Sequence, residues 1–521
     1  MSIKTNHVNL FEDISDLDYL GLTKFQSLLY NIIHFFKAIP SWLINLFKQI
    51  GKIIAKFFNS IVSDIKDIGT TFVHGDFKTK ISYFVMGFGS IARGQIFRGI
   101  LFFLFEVIFI VYMVTTGGYW LSKYPTLGTV SSGRQYDAKL DTYVTVPGDD
   151  SFKCLFYGTI TIIFIICFVY TWRTNIKQNK INEELIKNGH SLKHAKDDAK
   201  SLLDEEFHKT LLALPITGIL LFTVFPILFM VLVAFTNYDG AHDGYSNLFT
   251  WVGLTNFNEL FNINTGNSQL SLAFGEILSW TLIWAFFATF TNYFLGMFVA
   301  IMINKKGIKL KKFWRGVLVL TSAVPQFISL LYISKMFAAN GLVNGMMLRL
   351  GIIKDLSQVI RFWETPTLAR ITVIVINIWI GIPYLMLITT GILMNIPEDL
   401  YESAKIDGAN AVQQFFKITL PYMLFVTGPY LLTSFIGNIN NFNVIYLLST
   451  GGPINPKLLS SAGAAGDTDL LITWLFKITM GAESKYYLAS VIGIMIFVVV
   501  SILSLIVYNV IPSTRNEEDY Q

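Results

Sequence analysis

The sequence predicts an all-α, polytopic membrane protein of about eight spanning helices, and three observations carry that fold class. Apolar residues make up 53% of the 521 and charged residues only 14%, against roughly 25% charged in soluble domains. The mean hydropathy is +0.52. Apolar stretches of about 20 residues recur, each long enough to cross a hydrocarbon core about 30 Å thick. Lysines and arginines gather in alternate connections between those stretches.

The expected spans lie near 96–116, 154–172, 211–235, 277–303, 313–336, 369–394, 421–447 and 486–511. Segment 173–209 carries Lys177, Lys180, Lys187, Lys193, Lys196, Lys200 and Lys209, and segment 304–315 carries Lys305, Lys306, Lys309, Lys311, Lys312 and Arg315. Segment 237–275 has no lysine or arginine. The positive-inside rule then places both termini, both basic segments and the 396–421 connection in the cytoplasm of a cell-membrane protein. The formal charge of +5 is explained by this orientation and calls for no nucleic acid.

Ahead of the spans, Phe25, Leu28, Leu29, Ile32, Phe35 and Phe36 recur at helical spacing. A second run, from Trp42 to Ile65, follows Pro40 and is interleaved with Lys48, Lys52, Lys56 and Lys66. Apolar faces backed by lysine-bearing ones predict helices lying on the inner membrane surface. A helical hairpin packed on the rest of the chain is the other reading. The polar, acidic residues 1–20 do not read as a cleavable signal peptide.

Residues 396–421, IPEDLYESAKIDGANAVQQFFKITLP, form a polar island between two apolar runs. Pro397 suits a first helical turn, and Glu398 and Asp399 favour the positive end of a helix dipole. Leu400, Tyr401 and Ala404 share a face. Gly408 breaks the pattern. A second amphipathic run of Ala411, Val412, Phe415, Phe416 and Ile418 is bounded by Pro421. The segment therefore reads as helix, glycine break, helix.

Enzymatic motifs are missing. There is no phosphate-binding loop, since Gly51-Lys52 lacks both the upstream glycine and the following hydroxyl residue. No cysteine–histidine spacing fits a metal site, and Cys154 and Cys167 on one helix cannot pair. Ion-coupled carriers need ionisable groups within their spans. Here Glu106 is the main one, read as a carboxyl paired with a neighbour such as Arg98. Neutral polar groups do share helix faces. Asn377, Gly381 and Tyr384 stand at i, i+4 and i+7, as do Ser434, Asn438 and Asn441. Asparagine amides both donate and accept, so these faces suit either a hydroxyl-rich neutral ligand or hydrogen bonding between helices.

Glu402-Ser403-Ala404, Asp407-Gly408-Ala409 and Ile418-Thr419-Leu420-Pro421 resemble the EAA loop of ABC importer permeases, with Ser403 standing where that family has alanine. Stretches 225–238, 323–337, 376–386, 434–453 and 465–471 are similar to the maltose/maltodextrin permease of the MalF type. The resemblance implies a type I importer core at 205–515, with two additional spans and a linker at 81–204 and an N-terminal extension at 1–80. It implies a sugar site at Ser329, Asn377, Ile380, Gly381, Tyr384, Ser434, Asn438 and Asn441. It implies coupling to an ATPase through Leu400, Tyr401, Glu402, Ala404, Asp407, Gly408 and Ala409. Ser322 replaces a second aromatic residue of the family, which puts contact at that end of the site in question.

The implied function is ATP-driven, alternating-access import of maltose or maltodextrin. Another oligosaccharide (a galacto-oligosaccharide, a raffinose-type or a multi-sugar substrate) is the alternative, and an ion-coupled carrier or a membrane scaffold stands behind both. The implied partners are a second permease subunit, a pair of ATP-binding subunits, an extracellular sugar-binding protein and the lipid bilayer. This chain needs no cofactor of its own, because ATP and magnesium would sit on the ATPase.

Overall fold

The computed structural model describes residues 24–192, 195–261, 268–305, 307–460 and 463–510. The reading of residues 1–20 lies outside them. The first helix, α1, is Lys24–His74. Among the described residues, seven single helices are long and apolar enough to cross a membrane: α2 Ile96–Lys123, α3 Ser151–Lys187, α4 Phe207–Val233, α5 Gln269–Asn304, α8 Pro366–Leu393, α10 Ala411–Ile439 and α13, apolar over Tyr486–Leu505. Between them lie α6 Lys311–Leu320, α7 Gln326–Met336, α9 Glu398–Ile406, α11 Phe442–Ser449 and α12 Leu471–Met480.

The eighth expected span, 313–336, is present as a broken helix rather than a continuous one, and the cause is Pro325. The expected 313–336 span is two helices, α6 and α7, joined by a 3-10 turn at Thr321–Ala323. Val324 is extended, at φ −79° and ψ 127°, as the residue before a proline prefers to be. The expected 421–447 span likewise ends at Ile439, and α11 starts afresh behind Asn441. Proline acts differently elsewhere. Helix α1 runs unbroken through Pro40, where the two runs were read as separate. A 51-residue ladder tolerates one missing donor.

The chain divides into two compact units, 1–119 with 160–216, and 120–159 with 217–521. In the first, stacked rings join α2 to α3, Phe109 and Phe168 lying 3.9 Å apart. Tyr112 and Thr161 share a hydroxyl hydrogen bond of 2.9 Å. Below this apolar contact sits a buried polar knot. Arg93 donates to Asp76, Thr79 and Asn179 at 2.6 to 2.8 Å. Glu183 accepts from the Asp76 amide and the Thr79 hydroxyl. Glu106 belongs here too, since it accepts from the Met86 amide at 2.8 Å.

In the second unit, α5 runs through three of the core clusters. Its N-terminal part packs with α12 and α13 around Leu270, Ile277, Leu471, Trp474 and Leu488. Its middle joins α7, α8 and α11 through Trp284, Leu330, Ile376 and Val444. Its C-terminal part meets α8 and α10 through Met297, Leu385 and Met423. Gly296 makes the α5–α8 contact possible, because a Cβ there would stand 2.6 Å from the Leu385 Cβ.

Two hairpins complete this unit. Strands β1 Gly133–Asp137 and β2 Thr142–Val146 pair antiparallel, as do β3 Ile454–Ser460 and β4 Gly463–Gly466. Gly451, at φ +81°, lets the chain press onto buried Asp469, with a Cβ there 1.8 Å from its carboxylate oxygen. Lys477 pairs with Asp469 at 2.6 Å. Burial raises the Asp469 pKa despite that cation.

Candidate functional site

Two features of the second unit bear on the sequence reading: the polar groups on α5, α7, α8 and α10, called here the seam, and the α9 turn.

At the seam, Asn377 is buried on α8. Its side chain makes no hydrogen bond among the described residues. Nor do the Ser329 hydroxyl on α7 and the Tyr384 hydroxyl on α8; Ser329 is half-buried and Tyr384 exposed. Ile380 packs against the Trp284 cluster. Ser434, half-buried on α10, stands one turn from Tyr430, and Tyr384 lies near the same Tyr430 hydroxyl. These groups can offer donors and acceptors to a neutral polyol, and no charge among them would demand a counter-ion.

Three expected residues have structural work instead. Gly381 is packed against α5, where a Cβ would come within 2.6 Å of the Asn292 amide nitrogen. It permits a helix contact rather than presenting a free polar face. Asn438 is already bonded: its side-chain amide donates to Thr289 at 3.0 Å and its backbone carbonyl accepts from the Trp284 indole at 3.1 Å. Asn441 is not on the α10 face, because the helix ends first. It caps α11, accepting from the Val444 amide, and its own amide donates to Asn438 Oδ1 at 3.3 Å. The i, i+7 spacing required an unbroken helix, and Asn440, at φ −98° and ψ 21°, interrupts it.

The seam also holds residues that periodicity did not find. Thr289 lies in a π turn, Phe287–Thr291, and Asn292 follows it directly. Asn292 donates to the Ala288 carbonyl at 2.8 Å, while its buried Oδ1 has no partner. Such π turns are rare and recur at functional sites. A lone asparagine in an apolar run was the only available signal.

The α9 turn is built as the sequence implies. Glu398 and Asp399 open α9, and Lys405 lies in its last turn. Pro397 caps the helix from outside its first turn. At the far end Gly408 adopts φ +78°. The Gly408 amide donates to the Lys405 carbonyl at 3.0 Å and the Ala409 amide to the Ala404 carbonyl at 2.8 Å, which is the Schellman pattern of a glycine-terminated helix. Asn410 and Gln413 then form a reciprocal capping box.

Pro421 does not bound this second run, which continues into α10. A π turn at Phe415–Thr419 precedes the proline and accommodates its missing donor. The Tyr401 hydroxyl lies 2.9 Å from that of Thr419 and ties the turn to the base of α10. Leu400, Glu402, Asp407 and Gly408 are exposed, and Tyr401, Ala404 and Ala409 half-buried. Ile406, Val412 and Phe416 also stand exposed beside them.

Comparison with known proteins agrees with this geometry. Residues 292–516 match the family described as binding-protein-dependent transport system inner membrane component. The chain is 34% identical over 436 residues to the maltodextrin transport system permease protein MalC of Streptococcus pneumoniae, across 83% of this chain and 95% of that one. It is 32% identical over 446 residues to the maltodextrin permease MdxF of Bacillus subtilis, across 83% and 95%. It is 33% identical over 439 residues to the galactooligosaccharides permease GanP of the same organism, across 83% and 97%. The chain therefore belongs to the binding-protein-dependent transport system inner membrane component family, as a multi-pass permease of the cell membrane.

Proposed function

We infer that this chain is the permease subunit through which maltodextrin enters the cell in an ATP-driven importer. What supports the reading is a set of neutral polar groups that make no hydrogen bond among the described residues, Ser329, Asn377 and Tyr384, in a chain at least 32% identical to maltodextrin permeases over most of its length. Charged side chains are missing from those positions, which suits a neutral sugar. Asn438, Asn441 and Gly381 shape the seam, and Ser434 and Ile380 line it.

The mechanism is alternating access. A separate pair of ATP-binding subunits closes on ATP and magnesium. The exposed α9 turn receives that movement through Leu400, Glu402, Asp407 and the bend at Gly408. Tyr401 passes it to α10 through Thr419, and Ala404 and Ala409 back the turn. A second permease subunit completes the path, and an external binding protein delivers the sugar. The basic segments set both termini and the α9 turn in the cytoplasm.

A galacto-oligosaccharide is the second reading, supported by the 33% identity to GanP. Uptake of labelled maltotriose and of labelled galactotriose, in vesicles holding the full importer and ATP, separates the two. Uptake of maltotriose competed by maltose supports the first. Uptake of galactotriose alone replaces it with the second.

A further inference from the structure

We propose that the C-terminal half of α1 is a docking surface for an anionic lipid leaflet. Its exposed lysines face outward because the helix's acids are already neutralised within the same unit.

Lys48, Lys52 and Lys56 follow one another at intervals of four. Lys66 stands eighteen residues after Lys48 (66 − 48 = 18), which is five turns of an α-helix. The four therefore share one stripe, and all four are exposed. None of them pairs with an acid among the described residues. The two acids of this stretch are engaged: Asp64 pairs with Arg173 and Lys177, and Asp67 with Lys180, all three from α3. What remains facing outward is cationic. On the opposite side of α1, Ile54, Phe57, Phe58, Ile61 and Ile65 are exposed, Phe57 at 63% and Ile65 at 64%.

A protein groove would cover the apolar side and leave the lysine stripe without purpose. A leaflet of anionic headgroups accounts for both. The apolar side enters the boundary between headgroups and acyl chains, and the lysines on flexible stems reach the phosphates. The unit already contains membrane-crossing segments in α2 and α3, so a bilayer surface is within reach.

The test uses the full chain with Cys167→Ser and one nitroxide label, at Phe57→Cys or Ile61→Cys. It is reconstituted in vesicles of phosphatidylcholine alone or mixed with phosphatidylglycerol. Accessibility to oxygen and to a water-soluble nickel chelate gives the depth of the label. In the mixed vesicles both labels are expected to be open to oxygen and shielded from nickel, and less so in phosphatidylcholine. Each Lys→Gln change at 48, 52, 56 or 66 is expected to lower the preference for anionic lipid roughly fivefold.

These exposed lysines hold no fold contact, so the variants remain folded. Labels open to nickel in both vesicles would overturn the proposal. So would labels shielded from both agents, which is the mark of a covering protein or a second copy. So would equal immersion in both lipids that ignores the lysine changes. None of these readouts depends on the sugar, so the proposal and the transport reading fail separately.

Discussion

Gly381 on α8 has room for only a hydrogen against Asn292 on α5, because a Cβ there would approach the Asn292 side-chain amide to 2.6–2.8 Å. The neighbour is itself buried and bonded to its own helix at Ala288, so it has little freedom to retreat. Gly381→Ala should therefore cost about 1–3 kcal/mol as an overpacked contact. It should also push α8 away from α5 and displace Asn377 one turn away. The expected result is a lowered thermal midpoint in detergent together with reduced sugar uptake. Asn292→Ala should relieve the uptake defect in the double variant.

Gly408 presents the opposite case. No atom lies within 4 Å of where its Cβ would be, but its φ is +78°. Gly408→Ala should cost about 1 kcal/mol through backbone conformation alone. The loss falls on the end of α9 and spares the helix core. Membrane insertion and yield should be unchanged, while sugar-stimulated ATP hydrolysis by the assembled importer should fall. Undiminished stimulation would remove Gly408 from the coupling path.

Tyr401→Phe tests the link to α10. It deletes one hydroxyl, 2.9 Å from Thr419, in a half-buried setting. The stability cost should be about 0.5–1.5 kcal/mol. If the bond carries motion, transport per ATP hydrolysed should drop while basal hydrolysis persists.

Asp149 predicts a local pH dependence. Burial alone would raise its pKa, but the amides of Thr129 and Val130 and the Lys123 ammonium outweigh that and hold the carboxyl at about 2. An unfolded aspartate titrates near 3.9. The folded pKa is depressed, so the stabilisation is fully present above about pH 4 and is lost as pH falls towards about 2. Hydrogen exchange over residues 123–150 should accelerate across that window in the wild type. In Asp149→Asn it should already be faster at neutral pH and change less on acidification.

The parts of the fold that rest on neighbours in sequence could be read from residues alone. The α9 turn is one, because a Schellman end and a capping box need only Gly408, Asn410 and Gln413 in the right order. The long apolar spans are another, since hydropathy is additive along the chain. The break at Pro325 was written in the sequence but was overridden by the length of the apolar run. The π turn before Asn292 was not legible: no local residue type demands it, and it exists where α5 packs against α8 and α10. The same holds for Asn441, whose place depends on where α10 stops. Periodicity assumed a continuous helix, so it could not tell which of the asparagines are already bonded within the chain. Asn377 is free of hydrogen bonds and Asn438 is not, a distinction that only packing decides.

The neutral polar groups of α7 and α8, Ser329, Asn377 and Tyr384, are proposed to bind the transported sugar. The most direct measurement is maltotriose-stimulated uptake and ATP hydrolysis by the reconstituted importer, comparing wild type with Asn377→Ala and Tyr384→Phe. Each variant removes a group with no hydrogen bond among the described residues, so Tyr384→Phe should leave the thermal midpoint unchanged and Asn377→Ala should cost only its packing. The account predicts that both weaken uptake at limiting sugar by about 10-fold or more, the cost of roughly one lost hydrogen bond to a buried ligand. Basal ATP hydrolysis should be intact. Wild-type uptake in both variants, with the sugar still transported, would contradict it and place the sugar path elsewhere in the chain.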